Sequence, residues 1–200
     1  MKPSGSHASR HVLAKSLAAV TLFSLAMAPA GGTAVSAPDG GQAAGGRHCI
    51  VQISPLLPGK AASTVSAPRC FPTFAEAIAA VSGGTVRLSS AVTPRTLTQR
   101  MLRPERAAAT VVLSIDYRDS GFGGTSLTWY DSGTAGCAAN TYSASSMPSG
   151  WNDQVSSSQR YDSCTHNPHY EHVNFGGAIY PCTCSSMGVM NDKTSSEKWS

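Results

Sequence analysis

Tyr117-Arg118-Asp119-Ser120-Gly121-Phe122-Gly123-Gly124 and Tyr170-Glu171-His172-Val173-Asn174-Phe175-Gly176-Gly177 share one layout: an aromatic, four residues, a phenylalanine and two glycines. A second shared block follows each. Ser145-Ser146-Met147 precedes Asn152-Asp153-Gln154-Val155-Ser156-Ser157, and Ser185-Ser186-Met187 precedes Asn191-Asp192-Lys193-Thr194-Ser195-Ser196. Each copy closes on an aromatic, Tyr161 in one and Trp199 in the other. Two motifs duplicated in the same order make an internal repeat rather than a coincidence of composition.

Each part has a physical use. A hairpin folded back across a sheet needs freedom at positive φ beside a packing aromatic, and Phe-Gly-Gly offers both. Tyr117 and Tyr170 are placed to cover that fold. An Asn-Asp-x-x-Ser-Ser turn gathers carboxylate, amide and hydroxyl oxygens with carbonyls exposed between them, a hard-oxygen environment suited to calcium. The competing reading is a plain Asx or Ser/Thr turn whose oxygens satisfy backbone N–H groups without any metal.

With both motifs present twice and unbroken, roughly the last 90 residues resemble the microbial βγ-crystallins, whose double Greek key carries an aromatic-x4-Phe-Gly hairpin and an N/D-N/D-x-x-S/T-S calcium motif in each half. The resemblance implies an eight-strand β-sandwich holding two calcium ions, each shared between the halves. It implies hydroxyl ligands from Ser156 and Ser195, backbone carbonyls from Gln154 and Lys193, and carboxylates from Asp153 and Asp192 reaching across to the partner site. Arg118 and Glu171 fall where the family uses a further backbone carbonyl. Asn152 and Asn191 are expected to brace the loops, and Ser157 and Ser196 to pin the hairpins. The fold also resembles secreted streptomycete proteins that inhibit metalloproteinases or act as killer-toxin-like antifungals. That implies an alternative effector role, with an extracellular protease or cell-surface target as partner and the loop from Gly133 to Ser146 as the part that engages it.

Two features depart from the family pattern. The first half has 30 residues from Phe122 to Asn152 and the second only 16 from Phe175 to Asn191, so the first carries an insertion containing Cys137. Cys182-x-Cys184 also sits where a second-half strand should run.

Upstream of the hairpins, Val111, Leu113, Ile115 and Tyr117 alternate with Val112, Ser114 and Asp116, the period-two pattern of a strand with one buried face. Short apolar segments then recur between Gly-, Ser- and Asn-rich turns to Trp199, which reads as an all-β sandwich over 110–200. The region 47–109 has another character. Cys49 to Ile53 reads as a strand and Pro55 to Pro68 as a loop that a Cys49–Cys70 bridge would close. Thr73-Phe74-Ala75-Glu76 has the form of a helix capping box, Gly83-Gly84 ends that helix, and Thr85 to Leu88 reads as a second strand. The expectation is a small strand–helix–strand module, with Thr93 to Ala109 as a linker or wrapping arm. The whole chain is thus read as mainly β, a Greek-key sandwich preceded by a small α+β disulfide module.

At the N-terminus, Lys2, Arg10 and Lys15, the apolar run from Ser16 to Met27, and Ala28-Pro29-Ala30 read as a cleavable signal peptide over 1–30, too short for a bilayer span. Residues 31–46 read as a flexible linker. The protein is therefore expected to be secreted, with no membrane span after processing. Removing the leader takes the formal net charge from +4 to +1, and from residue 111 onward Asp and Glu outnumber Lys and Arg by 8 to 4. The arginines of 47–109 lack interleaved aromatics, so nucleic acid is not expected as a partner.

Six cysteines in an exported chain should pair. If Cys49 bridges Cys70, the other four permit three connectivities, among which Cys137–Cys164 is the pairing expected. The Cys182-x-Cys184 spacing does not match a zinc knuckle. His166, His169 and His172 are evenly spaced, but Pro168 and the strand at Tyr170 scatter them, and they read as ordinary surface residues. No base–nucleophile constellation emerges, so the chain is not read as an enzyme.

Overall fold

A computed structural model describes residues 48–103, 110–181 and 183–200, all within one compact unit; the predicted signal peptide, the 31–46 linker and Cys182 lie outside them. Two sheets face each other. The first is five-stranded, in the order β2–β1–β4–β3–β6, from β1 (His48–Gln52), β2 (Arg69–Phe71), β3 (Val111–Asp119), β4 (Gly123–Asp131) and β6 (Ser157–Arg160). The second is four-stranded, in the order β5–β9–β7–β8, from β5 (Tyr142–Ala144), β7 (His169–His172), β8 (Gly176–Tyr180) and β9 (Ser196–Trp199).

The two repeats exchange their third strands. β5 follows β4 in the chain but pairs with β9 of the other half, and Cys184 of the second half bridges Ser158 of β6. The second sheet is thus built from three strands of its own repeat and β5 of the other, and the first joins its repeat's three strands to the second repeat through the Ser158–Cys184 bridge, the interlock of a double Greek key. Where the eighth strand of the expected sandwich would run, the described residues form only that bridge, just past Pro181, which has no N–H to give a ladder. Serine-rich segments supply the remaining links, Gly121 N donating to Ser185 O at 2.6 Å and Asn174 N to Ser145 O at 2.8 Å.

Both hairpins fold as their repeat implies, with one difference. The left-handed residues are Gly121, Phe122 and Gly124 in the first and Asn174, Phe175 and Gly177 in the second. The phenylalanines themselves take positive φ, and the first glycine of each pair does not. Edge-on packing of Tyr117 on Phe122 (5.7 Å) and Tyr170 on Phe175 (5.5 Å) holds these phenylalanines there. At Gly124, φ is +71° and an added Cβ would lie 2.7 Å from the Asp119 Cγ, whereas at Gly123 the nearest atom is 3.4 Å away. Gly124→Ala is expected to cost about 1–3 kcal/mol in thermal unfolding. Gly123→Ala should cost clearly less, and equal losses would refute a conformational cause.

β3 corrects the reading of one buried face. A bulge between Val112 and Ser114 shifts the register, so Val111 and Leu113 enter the sandwich core while Val112, Ile115 and Tyr117 turn to the outer face. Ser114 and Asp116 consequently point inward, accepting the indole N–H groups of Trp199 (2.9 Å) and Trp129 (2.8 Å). The closing aromatics also part company: Trp199 stands three residues after Ser196 and packs inside the sandwich, whereas Tyr161 stands four after Ser157 and lies outside it. In a period-two strand, odd and even offsets face opposite ways.

An outer face bearing Ile115, Tyr117 and Tyr161 needs covering, and the upstream segment covers it. The capping box forms as expected: Glu76 N donates to Thr73 Oγ1 (3.2 Å) and Thr73 N to Glu76 Oε2 (3.0 Å). It starts helix α1 (Phe74–Val81), whose Phe74, Ala77, Ile78 and Val81 pack on that outer face. Cys49 lies opposite Cys70 in the β1–β2 ladder and the two form a disulfide, as does the pair Cys137–Cys164.

The strand–helix–strand expectation holds for its first two members only. Residues 85–88 form no strand; Val86 instead packs into the outer cluster. Nor does β1 stay within its own module: it runs parallel along β4 from His48 opposite Ser126 to Gln52 opposite Tyr130, widening the sandwich sheet. Of the segment read as a linker or wrapping arm, residues 104–109 lie outside the described residues; the rest runs through a 3-10 turn (Pro94–Thr96) and helix α2 (Gln99–Leu102), burying Leu97 and Leu102. Arg95 donates to Gly121 O (2.9 Å), and Arg103 pairs with Asp162 (2.6 Å). No helix among the described residues is long and apolar enough to cross a membrane.

Candidate metal centre

The two Asn-Asp-x-x-Ser-Ser loops lie side by side. Asp153 N donates to Thr194 O and Asp192 N to Val155 O, each at 3.0 Å, so the loops are bonded backbone to backbone across the repeat interface. Both aspartates adopt the left-handed conformation at φ 55°, a region that short polar side chains tolerate better than most. That conformation turns each carboxylate toward the other loop. Ser156 Oγ donates to Asp192 Oδ1 at 2.7 Å, and Ser195 Oγ donates to Asp153 Oδ1 at 3.2 Å.

Two equivalent oxygen clusters result, one of Ser156 with Asp192 and one of Ser195 with Asp153. In each the serine is buried and the aspartate exposed, so the cluster opens at the surface. The asparagines brace the carboxylates from behind: Asn152 Nδ2 donates to Asp153 Oδ2 and Asn191 Nδ2 to Asp192 Oδ2, both at 2.7 Å. Oδ1 is left to face the serine. The following serines pin the hairpins, Ser157 Oγ donating to Asp119 O (2.6 Å) and Ser196 Oγ to His172 O (2.7 Å).

Backbone oxygens complete the surroundings. Ser156 N donates to Tyr117 O and Ser195 N to Tyr170 O, each at 2.8 Å, which sets Arg118 beside the first loop and Glu171 beside the second. Among the described residues neither the Gln154 nor the Lys193 carbonyl accepts a hydrogen bond. The Arg118 side chain lies over the Trp151 ring, 5.1 Å from its centre, and donates to Gly150 O (2.5 Å). Glu171 Oε1 stands 3.8 Å from Lys193 Nζ. The Arg118 side chain is thus engaged with Trp151 and Gly150, and that of Glu171 with Lys193, and neither bonds Ser156, Asp192, Ser195 or Asp153.

The donor set fits a hard divalent cation. Each cluster offers one carboxylate oxygen, one hydroxyl and nearby uncommitted carbonyls, all oxygen. The serine protons now directed at the carboxylates would turn away, freeing lone pairs on both partners for one ion. The bonds joining the loops, from Asp153 to Thr194 and from Asp192 to Val155, had no signal in the sequence, because they connect residues about forty positions apart.

His169 departs from the reading of the three histidines as surface residues. His166 and His172 are exposed, but His169 is fully buried. Its position opposite Glu197 in the β7–β9 ladder turns it into the sandwich. Desolvation holds its imidazole below the ordinary value and pushes the Asp116 carboxyl well up and that of Glu197 to about 7. The insertion between β4 and β6 likewise is only partly a free loop: residues 132–135 are exposed, whereas Tyr142, Ser143 and Ala144 are buried as β5.

Exchanged third strands, paired hairpins and abutting loops define a βγ-crystallin-like Greek-key sandwich. Solved structures similar to this chain include a βγ-crystallin from an archaeon, 23% identical, covering 45% of this chain and 99% of that one with a TM-score of 0.33. A βγ-crystallin domain from Clostridium beijerinckii is 23% identical and covers 44% of this chain and 95% of that one, with a TM-score of 0.32. No family model matches the chain, and no curated protein does.

Proposed function

We propose that this chain is an extracellular calcium-binding protein whose two ions lock the repeats of the sandwich together. The observation that carries the reading is the reciprocal pairing of each loop's aspartate with the other loop's serine. An ion at either cluster would be held by both repeats at once: Ser156 and the Gln154 carbonyl with Asp192 at one, Ser195 and the Lys193 carbonyl with Asp153 at the other, with the Arg118 and Glu171 carbonyls alongside. Calcium there supplies charge neutralisation and cross-linking and no reaction chemistry. With one carboxylate per cluster, affinity should fall in the micromolar-to-millimolar range of extracellular modules. The disulfides Cys49–Cys70 and Cys137–Cys164 support an oxidising location.

Calorimetric titration of the purified chain with calcium is expected to give about two equivalents, and Asp153→Ala or Asp192→Ala alone to leave about one. Absence of saturable binding at millimolar calcium, or an unchanged stoichiometry in both variants, would remove the proposal.

A further inference from the structure

The pseudo-two-fold relation between the repeats brings four more residues together, buried in the sandwich on the strands that adjoin the loops. Asp116 and His169 occupy equivalent places, each preceding a hairpin tyrosine, and Ser158 and Glu197 each follow a Ser-Ser pair. Asp116 lies opposite Ser158 in the β3–β6 ladder, and His169 opposite Glu197 in the β7–β9 ladder. The two cross-strand pairs come from the two facing sheets, and all four residues are fully buried.

How their polar atoms are used is informative. One oxygen of each carboxylate is clamped by a buried N–H donor: Trp129 Nε1 holds Asp116 Oδ2 (2.8 Å) and Asn167 Nδ2 holds Glu197 Oε2 (3.3 Å). The other oxygens, Asp116 Oδ1 and Glu197 Oε1, and both ring nitrogens of His169 make no hydrogen bond of good geometry, although His169 Nδ1 faces Glu197 Oε1. Buried polar atoms without partners are costly and rare in folded proteins. Here one ligating atom from each of Asp116, His169 and Glu197 lies within 4.8 Å of the others, with His169 Nδ1 at 3.3 Å from Glu197 Oε1.

We infer that Asp116, His169 and Glu197 form a buried site for a divalent transition-metal ion of the zinc class. Ligand atoms around tetrahedral zinc stand about 3.3–3.5 Å apart, the His169–Glu197 separation already present. Two carboxylates neutralise a divalent charge, which a dry interior demands. The indole and amide donors that fix each carboxylate's outer oxygen and aim its inner one act as the supporting shell of metal sites does. Calcium is the wrong ion here: it takes six or more oxygens, whereas this cluster offers few donors, one of them an imidazole nitrogen. The Ser158 hydroxyl, across the ladder from Asp116, or a water fills the fourth position. The inference stands independently of the calcium reading, because the two donor sets share no residue.

Full enclosure means the ion should enter on folding and leave slowly. The test is to unfold the full chain in chelator, refold it with zinc chloride, strip surface metal with chelator on a sizing column and measure zinc by elemental analysis. About one zinc per chain is expected, retained in Asp153→Ala/Asp192→Ala and in His166→Gln/His172→Gln, and lost in Asp116→Asn and Glu197→Gln. A wild-type chain that refolds to its native β spectrum without retaining zinc overturns the inference, as do Asp116→Asn and Glu197→Gln if they keep it. Should those variants fail to fold, cobalt(II) loaded into the wild-type chain decides. A tetrahedral d–d absorption band that survives chelator supports the site, and its absence overturns it.

Discussion

Calcium at about a hundredfold excess over its dissociation constant should raise the melting temperature of the purified chain by about 10–20 °C. Calcium at a hundredfold excess over its dissociation constant stabilises a folded state that alone binds it by about 2.7 kcal/mol per site. Two sites double that, and a domain of this size gains about 2–4 °C per kcal/mol. The folded state alone can bind in this way, since Asp192 meets Ser156 and Asp153 meets Ser195 only when the repeats are docked. Asp153→Ala with Asp192→Ala should abolish the rise and lower the calcium-free melting temperature modestly, because alanine is less tolerant of φ near 55° and the buried Ser156 and Ser195 lose their acceptors. Scanning calorimetry with and without calcium checks both statements. A calcium-induced rise that persists in the double variant would place the ions elsewhere.

Trp199→Ala should destabilise the chain by about 3–5 kcal/mol. This side chain is 1% exposed, its ring centre lies 5.0 Å from that of Trp129, and its N–H is bonded to buried Ser114. Truncation would open a cavity between the sheets and leave the Ser114 hydroxyl unpartnered. A fall in melting temperature of about 6–20 °C is expected. Ile179→Ala, on a side chain 58% exposed, serves as the control and should stay within about 0.5 kcal/mol. Similar losses in the two variants would contradict a buried anchor at Trp199.

The hairpins and loops were legible because each depends on residues close in sequence. A capping box needs Thr73 and Glu76 three positions apart, and a folded hairpin needs Tyr117 and Phe122 five apart. Phe122 and Phe175 show the limit even there: glycine was the expected carrier of positive φ, yet aromatic packing holds phenylalanine in that region instead. The Cys49–Cys70 bridge was legible for the same local reason, since a short loop brings β2 back onto β1.

What stayed hidden depended on register. The alternation Val111, Leu113, Ile115, Tyr117 promised one buried face, but a single bulged residue reverses a period-two pattern, and nothing local marks Leu113 as that residue. The reversal sends Ile115 and Tyr117 outward, where they need α1 as a cover, and sends Asp116 inward. His169 looked like a surface residue beside His166 and His172 because its partners, Glu197 and Asp116, are 28 and 53 positions away.

From the amino acids alone came the repeat, its two hairpins, the oxygen-bearing turns and the helix start, all set by sterics and hydrogen bonding within a few residues. The tertiary structure alone decided that the repeats exchange their third strands, that β1 extends the sandwich along β4, and that Asp153 serves the other loop's serine. Those outcomes follow from burying apolar surface between sheets formed by distant segments, a balance taken over the whole chain and carried by no short stretch of it.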